Sequence, residues 1–162
     1  MNKIISFVMV GTNDLEKSSK FYDAIFVHLG LKKISTSENM ICYAHSNDPH
    51  EVKFYITKPY NKKPASVGNG TMVALLAESN ETVDKFHATA LENGAIDEGA
   101  PGIRSDGNYY GYVRDLDGNK ITAKCISNWV KKYIKIAIFA LIYIFLVLVL
   151  AVYFYKNGIS FF

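Results

Sequence analysis

The sequence predicts an α+β fold in which a βαβββ module occurs twice, followed by one C-terminal transmembrane helix. Three observations predict it. Two stretches superpose at an offset of 65 residues, a glycine follows each helical stretch at nearly the same place, and a late run of twenty residues carries no charge. The chain of 162 residues suffices for one domain and an appendage. Its 49% hydrophobic and 20% charged composition suits neither a disordered chain nor a wholly membrane-embedded one.

The first module occupies about residues 4–57. Phe7-Val8-Met9-Val10 is an apolar, strand-like run, and Thr12-Asn13-Asp14 after it offers good helix N-caps. Leu15, Phe21 and Ile25 then recur at helical spacing, and Gly30 suits a left-handed C-terminal cap. Strands are expected over Leu31–Ser35, Met40–Ala44 and Val52–Thr57, with Asp48-Pro49 in an exposed loop before the last of them. A linker, Lys58 to Gly70, leads to the second module at about 71–125.

There Met72-Val73-Ala74-Leu75 falls on the first strand of module one, while Glu81, Lys85 and Phe86 fall on Glu16, Lys20 and Phe21. Glu78-Ser79-Asn80 supplies the cap, Val83, Phe86 and Ala90 the apolar face, and Gly94 the stop. A Gly- and Pro-containing loop from Glu98 to Asn108 precedes the strands Tyr109–Arg114 and Lys120–Cys125, which join through the turn Asp115-Leu116-Asp117-Gly118-Asn119. Neither unit closes a core alone, so the two are expected to pair through their sheets. Together they make a domain over 1–127.

The charge divides at that boundary. The formal net charge is +3, but residues 1–127 hold fourteen Lys and Arg against fifteen acids, and 128–162 hold four Lys and no acid. No basic stripe with interleaved aromatics remains, so nucleic acid is not an expected partner. Ile136 to Tyr155 could span about 30 Å as a helix, the depth of a bilayer core. Trp129, Tyr133, Tyr153 and Tyr155 flank it as interfacial aromatics would. Lys131, Lys132 and Lys135 form a basic juxtamembrane segment within 128–135, against Lys156 alone in the tail 156–162. The positive-inside rule then predicts a single-pass, tail-anchored membrane protein with its soluble domain in the cytoplasm and the lipid bilayer as a partner.

Several motifs carry a resemblance: Gly11-Thr12-Asn13-Asp14-Leu15-Glu16-Lys17-Ser18 with Phe21-Tyr22-Asp23, Lys58-Pro59-Tyr60 with Val67-Gly68-Asn69-Gly70-Thr71, Val83-Asp84-Lys85-Phe86-His87, Gly99-Ala100-Pro101-Gly102, and Asn108-Tyr109-Tyr110 with Asp115-Leu116-Asp117-Gly118-Asn119. Over residues 4–125 the chain resembles the vicinal oxygen chelate superfamily of glyoxalase I, bleomycin-resistance proteins and extradiol dioxygenases. The resemblance implies paired βαβββ modules in a cupped sheet around a cavity, where a divalent metal polarises vicinal substrate oxygens. It also implies ligands on the first and last strand of each module, at the positions of Phe7, Met72, Thr122 and Thr57. Those four residues are poor ligands: phenyl has no lone pair, thioether suits soft metals, and neutral hydroxyls bind weakly.

The expectation is therefore a module without a metal or other cofactor, Phe7, Thr57, Met72 and Thr122 lining its cavity. A divalent metal returns only if ligands have moved. The string Cys42, His45 and His50 is one candidate, weighed against ordinary loop histidines. His87 and His28 are read as solvent-facing, without a base partner. Arg104, Tyr109 and Tyr110, with Tyr112, are candidate contacts for a small-molecule ligand. The function expected is binding or interaction rather than assured catalysis, and a homodimer is an open expectation from the family's habit of pairing modules between chains.

Overall fold

A computed structural model describes residues 5–126 and 129–156, with side chains in the later stretch described at 137–150 and 153. The chain divides into a unit over Met1–Ile126 and a unit over Ser127–Phe162.

In the first unit, β1 (Val8–Gly11) leads to α1 (Leu15–Phe26), a 3-10 turn (Val27–Leu29), then β2 (Leu31–Thr36), β3 (Met40–His45) and β4 (Asp48–Thr57). The second module repeats the order with β5 (Val73–Ala77), α2 (Asn80–Glu92), β6 (Ile96–Ile103), β7 (Tyr109–Arg114) and β8 (Lys120–Cys125). The sheets have matching orders, β1-β4-β3-β2 and β5-β8-β7-β6, and in each the first strand runs parallel to the last.

Local chemistry sets both helices. Asp14 and Ser79 hold extended backbone at the N-caps, their side chains accepting from the amides of Lys17 and Thr82. α1 buries Ser18, Phe21, Tyr22, Ile25 and Phe26, a stripe at three- and four-residue spacing. Gly30, at φ 68°, ends the 3-10 turn with its amide on the Val27 carbonyl. The rings of Tyr22, Phe26 and Phe54 pack with centroids 4.9–5.1 Å apart. Each such buried ring contributes about 1.5–3 kcal/mol by burial.

Three expectations need correction. The modules do not join by their sheets, since no ladder links β1–β4 to β5–β8 among the described residues. They share one core through α1 and α2, to which Val10, Phe21 and Phe54 contribute from one module and Val83, Phe86 and Ile121 from the other. The stretch expected as a loop from Glu98 is largely β6, whose glycines fall at its register shifts against β7. Asp48 and Pro49 open β4 rather than a loop, because the hairpin turn is only Ser46-Asn47. Pro is tolerated there, at the first residues of a strand beside a bulge.

The modules are fastened by the β7–β8 turn. Asp117 accepts from the Thr12 hydroxyl at 2.6 Å, the Ser18 hydroxyl at 3.1 Å and the Asn13 amide at 2.8 Å. Asp115, buried in the same turn, accepts the Tyr22 hydroxyl at 2.6 Å. Burial, then the Asp115 carboxylate, pushes the Tyr22 phenol well above its ordinary pKa.

The second unit contains α3 (Trp129–Lys156), 28 residues long. It begins before the uncharged run, so 129–135, expected as a juxtamembrane segment, are helical. Side chains along α3 are described at 137–150 and 153. Among the described residues no helix is long and apolar enough to cross a membrane. The expected span over 136–155 is therefore only partly within what is described, and Asn128 and 157–162 lie outside the described residues.

Candidate functional site

Strand alternation gives each sheet an inner face toward its helix and an outer face. Gly111 fixes the direction in the second sheet: a Cβ built on it would meet His87 and Val83 of α2 at 3.3 Å. Tyr110 and Tyr112, on either side of it, therefore turn outward.

On that outer face the two tyrosine rings stack with centroids 5.6 Å apart and planes 6° from parallel. Arg104 stands 5.3 Å and Lys120 5.4 Å from the Tyr112 ring centre, and Lys124 lies 5.0 Å from that of Tyr110. Acids hold the rim in place. Glu98 pairs with Lys120 at 2.9 Å and Arg114 at 2.5 Å, and Asp106 accepts the Tyr110 hydroxyl at 2.6 Å. These partners lower the pKa of both carboxyls: Lys120 and then Arg114 for Glu98, Tyr110 and then Asn108 for Asp106. The Lys124 ammonium is shifted upward, first by its hydrogen bond to Tyr110. The result is a flat aromatic platform edged by positive charge.

Of the four candidate contacts, Arg104, Tyr110 and Tyr112 belong to this face. Tyr109 does not: it packs against the inner core, and its hydroxyl donates to Asp84 of α2 at 2.9 Å, which raises its pKa.

The four positions suggested by the resemblance lie on both sheets. Phe7, 48% exposed, precedes β1 and packs edge-on against Tyr55 at 4.9 Å, with Thr57 at the end of β4. Met72, 44% exposed, precedes β5, and Thr122 is fully buried in β8. No described contact brings the pairs together within one chain. A cavity of about 490 Å³ and one of about 340 Å³ lie elsewhere, at the start of α1 and along the linker.

The donor set does not fit a divalent metal. Thr122 gives its hydroxyl to the Gly111 carbonyl at 2.8 Å, and Thr57 gives its own to the Asn39 or Lys58 carbonyl at 3.0–3.1 Å. Phe7 has no donor atom, and the Met72 thioether is a soft ligand. Among the described residues no three His, Cys, Asp or Glu side chains gather as a metal site, so Cys42, His45 and His50 do not converge.

Two histidines were misjudged from sequence. His87 is buried, 6% exposed, and its Nε2 lies 3.0 Å from Asp97 of β6. Asp97 also accepts the Gly99 amide, and these two hydrogen bonds lower its pKa. His28 meets the Thr89 hydroxyl of α2 at 2.9 Å and so ties one module to the other. The signal for His87 was available, because Val83, Phe86, His87 and Ala90 complete one helical stripe.

Comparison with solved structures agrees with this architecture. A glyoxalase/bleomycin resistance protein from Albidiferax ferrireducens T118 is 42% identical, with a TM-score of 0.70 over 76% of this chain and 99% of that one. Lactoylglutathione lyase from Agrobacterium tumefaciens, 17% identical, has a TM-score of 0.58 over 79% of this chain and 97% of its own. Fosfomycin resistance protein FosX from Mesorhizobium loti, 14% identical, has one of 0.56 over 82% and 99%. The last two show likeness of fold alone. Among proteins of curated function, none matches. Residues 4–122 match the family of the Glyoxalase/Bleomycin resistance protein/Dioxygenase superfamily, and the chain belongs to that superfamily.

Proposed function

We propose that the chain is a membrane-tethered binding module of this superfamily that takes a small anionic ligand without a family-type metal. The platform of Tyr110 and Tyr112 beneath Arg104, Lys120 and Lys124 carries the reading, since it offers stacking surface and positive charge together. The absence of good donors at Phe7, Thr57, Met72 and Thr122 supports the metal-free part. Elemental analysis of the purified full chain tests it. A stoichiometric divalent ion, removed by chelator with loss of a lyase or dioxygenase activity, would replace this reading with the metalloenzyme one.

A homodimer accompanies the proposal. Phe7, Met9, Met72 and Leu76 are 44–68% exposed on the two outer faces, and a second copy could cover them. A mass measured by light scattering in neutral detergent should correspond to two chains, and a monomer at micromolar concentration would refute it.

The tether rests on the uncharged run 136–155 and on α3, whose described side chains 137–150 are all exposed and, Tyr143 apart, purely aliphatic or phenyl. The lysine bias supports a domain on the cytoplasmic side. Alkaline carbonate should leave the chain in the membrane pellet, and protease added from the cytoplasmic side should digest the domain. Release by carbonate removes the tether, and protection of the domain reverses the orientation.

A further inference from the structure

The linker between the modules is more than a connector. Residues 52–77 contain Lys53, Lys58, Lys62 and Lys63 and no acid. Lys53 is paired with Glu51, whereas no ion pair involves Lys58, Lys62 or Lys63 among the described residues. These three lysines line one cavity of about 340 Å³ with Thr12, Asn13 and Asn39.

The loop around the cavity is held at both ends. The Lys58 amide donates to the Asn39 carbonyl at 2.8 Å, and the Ala65 amide donates to Asn13 Oδ1 at 2.8 Å. Between them the Lys62 amide closes a turn onto the Pro59 carbonyl at 3.0 Å, and the Lys63 amide donates to Asn61 Oδ1 at 3.0 Å. Lys62 sits at φ 60°, the one positive φ of a non-glycine residue among those described. A lysine in left-handed backbone is uncommon, and such conformations collect where function requires them. Three like charges gathered in a fixed loop repel one another, and an anion among them removes that repulsion. The nearby acids are otherwise engaged: Asp14 pairs with Lys17, Glu16 with Lys20, and Asp117 with Thr12, Asn13 and Ser18.

The geometry points to a second site, separate from the tyrosine platform: a pocket of Lys58, Lys62 and Lys63 that binds a phosphoryl anion. The three lysines around this cavity match the charge and the several acceptor oxygens of a phosphate. The phosphoryl group can belong to a soluble phosphate ester or to a phospholipid headgroup. The chemistry recognised is the same.

The test uses the full chain in neutral detergent micelles, following the amide resonances of Asn39, Lys58, Asn61, Lys62, Lys63 and Ala65. Inorganic phosphate is titrated against chloride of equal ionic strength, and separately the micelles are doped with phosphatidylglycerol. Saturable shifts with inorganic phosphate assign a soluble source, and shifts confined to the doped micelles assign the headgroup. Shifts with neither, or equal shifts with chloride, overturn the site. The K58Q/K63Q variant should weaken the responding arm at least about tenfold. Lys62→Gly relieves the backbone while removing a charge, so it should raise thermal stability and still weaken binding about threefold or more. Unchanged binding in both variants also overturns the proposal.

Discussion

Asp117 Oδ2 accepts the Thr12 hydroxyl at 2.6 Å across 105 positions of sequence, so a turn of the second module completes the entrance to the first helix of the first. Its Oδ1 accepts the Asn13 amide and side chain, and Ser18 adds a further donor to Oδ2. Asp117→Ala strips all of these at once. It should cost about 2–3 kcal/mol, the range for losing partly buried bonds to a charged group. Chemical denaturation of the full chain measures this, with the slope unchanged and the midpoint lower. An unchanged midpoint would show that the modules are held by their shared core alone.

Tyr22 leads to an alkaline prediction. Its folded pKa is raised, so the neutral phenol is favoured by the fold, and its contribution is complete below the ordinary value of about 10. It is lost as pH rises from there through the folded value. Tyr43 behaves alike, raised by burial and then by its hydrogen bond to Asp23. The melting temperature should fall steeply above about pH 10, and Tyr22→Phe should flatten the fall while lowering stability at pH 7. A variant as steep as the parent would assign the alkaline loss to other groups.

Glu98 and Asp106 predict the acid limb. Both carboxyls have lowered pKa values, so their contribution is present above the unfolded values of 4.5 and 3.8 and disappears as pH falls through the folded ones. Both are well exposed to solvent screening, and the effect should be modest and salt-sensitive. Glu98→Gln with Asp106→Asn should make the melting temperature less dependent on pH between about 5 and 2. Equal slopes before and after substitution would exclude these pairs as the cause.

Gly111 faces α2 at close range. Its added Cβ would lie 3.3 Å from both the His87 Cβ and a Val83 methyl. Neither neighbour is the free end of a long side chain, so a branched substituent must push helix from sheet. Gly111→Val should cost about 2–3 kcal/mol by overpacking. It should also lengthen the His87–Asp97 hydrogen bond, which the His87 ring resonances would report. A stable variant with unaltered His87 signals would mean that α2 shifts freely.

Much of the fold was legible because local rules and packing agreed. Asp14, Ser79, Gly30 and Gly94 punctuate the helices where capping chemistry places them, and the offset of 65 residues aligned β1 with β5. β6 was missed because Gly99, Pro101 and Gly102 read as breakers, while pairing with β7 tolerates them at register shifts. The association of the modules was missed for a related reason: sheet pairing is suggested by repeated strands, but side chains far apart in sequence decided it. His28 finds Thr89, and Tyr22 finds Asp115. The tyrosine platform was half legible. Tyr110, Tyr112 and Arg104 were selected by type, but Lys120 and Lys124 join them only through the register of β8 with β7.

The same turn also sets an order in time. Thr12, Ser18 and Tyr22 emerge early in synthesis, whereas the carboxylates that accept their hydroxyls are 93–105 residues behind. At translation speeds of about 5–20 residues per second, the first module waits roughly 5–20 s for them. During that interval three hydroxyls at its helix lack their final acceptors. The module that is made first is therefore completed only once the β7–β8 turn of the second has been made, and the second copy acts on the nascent chain as the closing piece of the first.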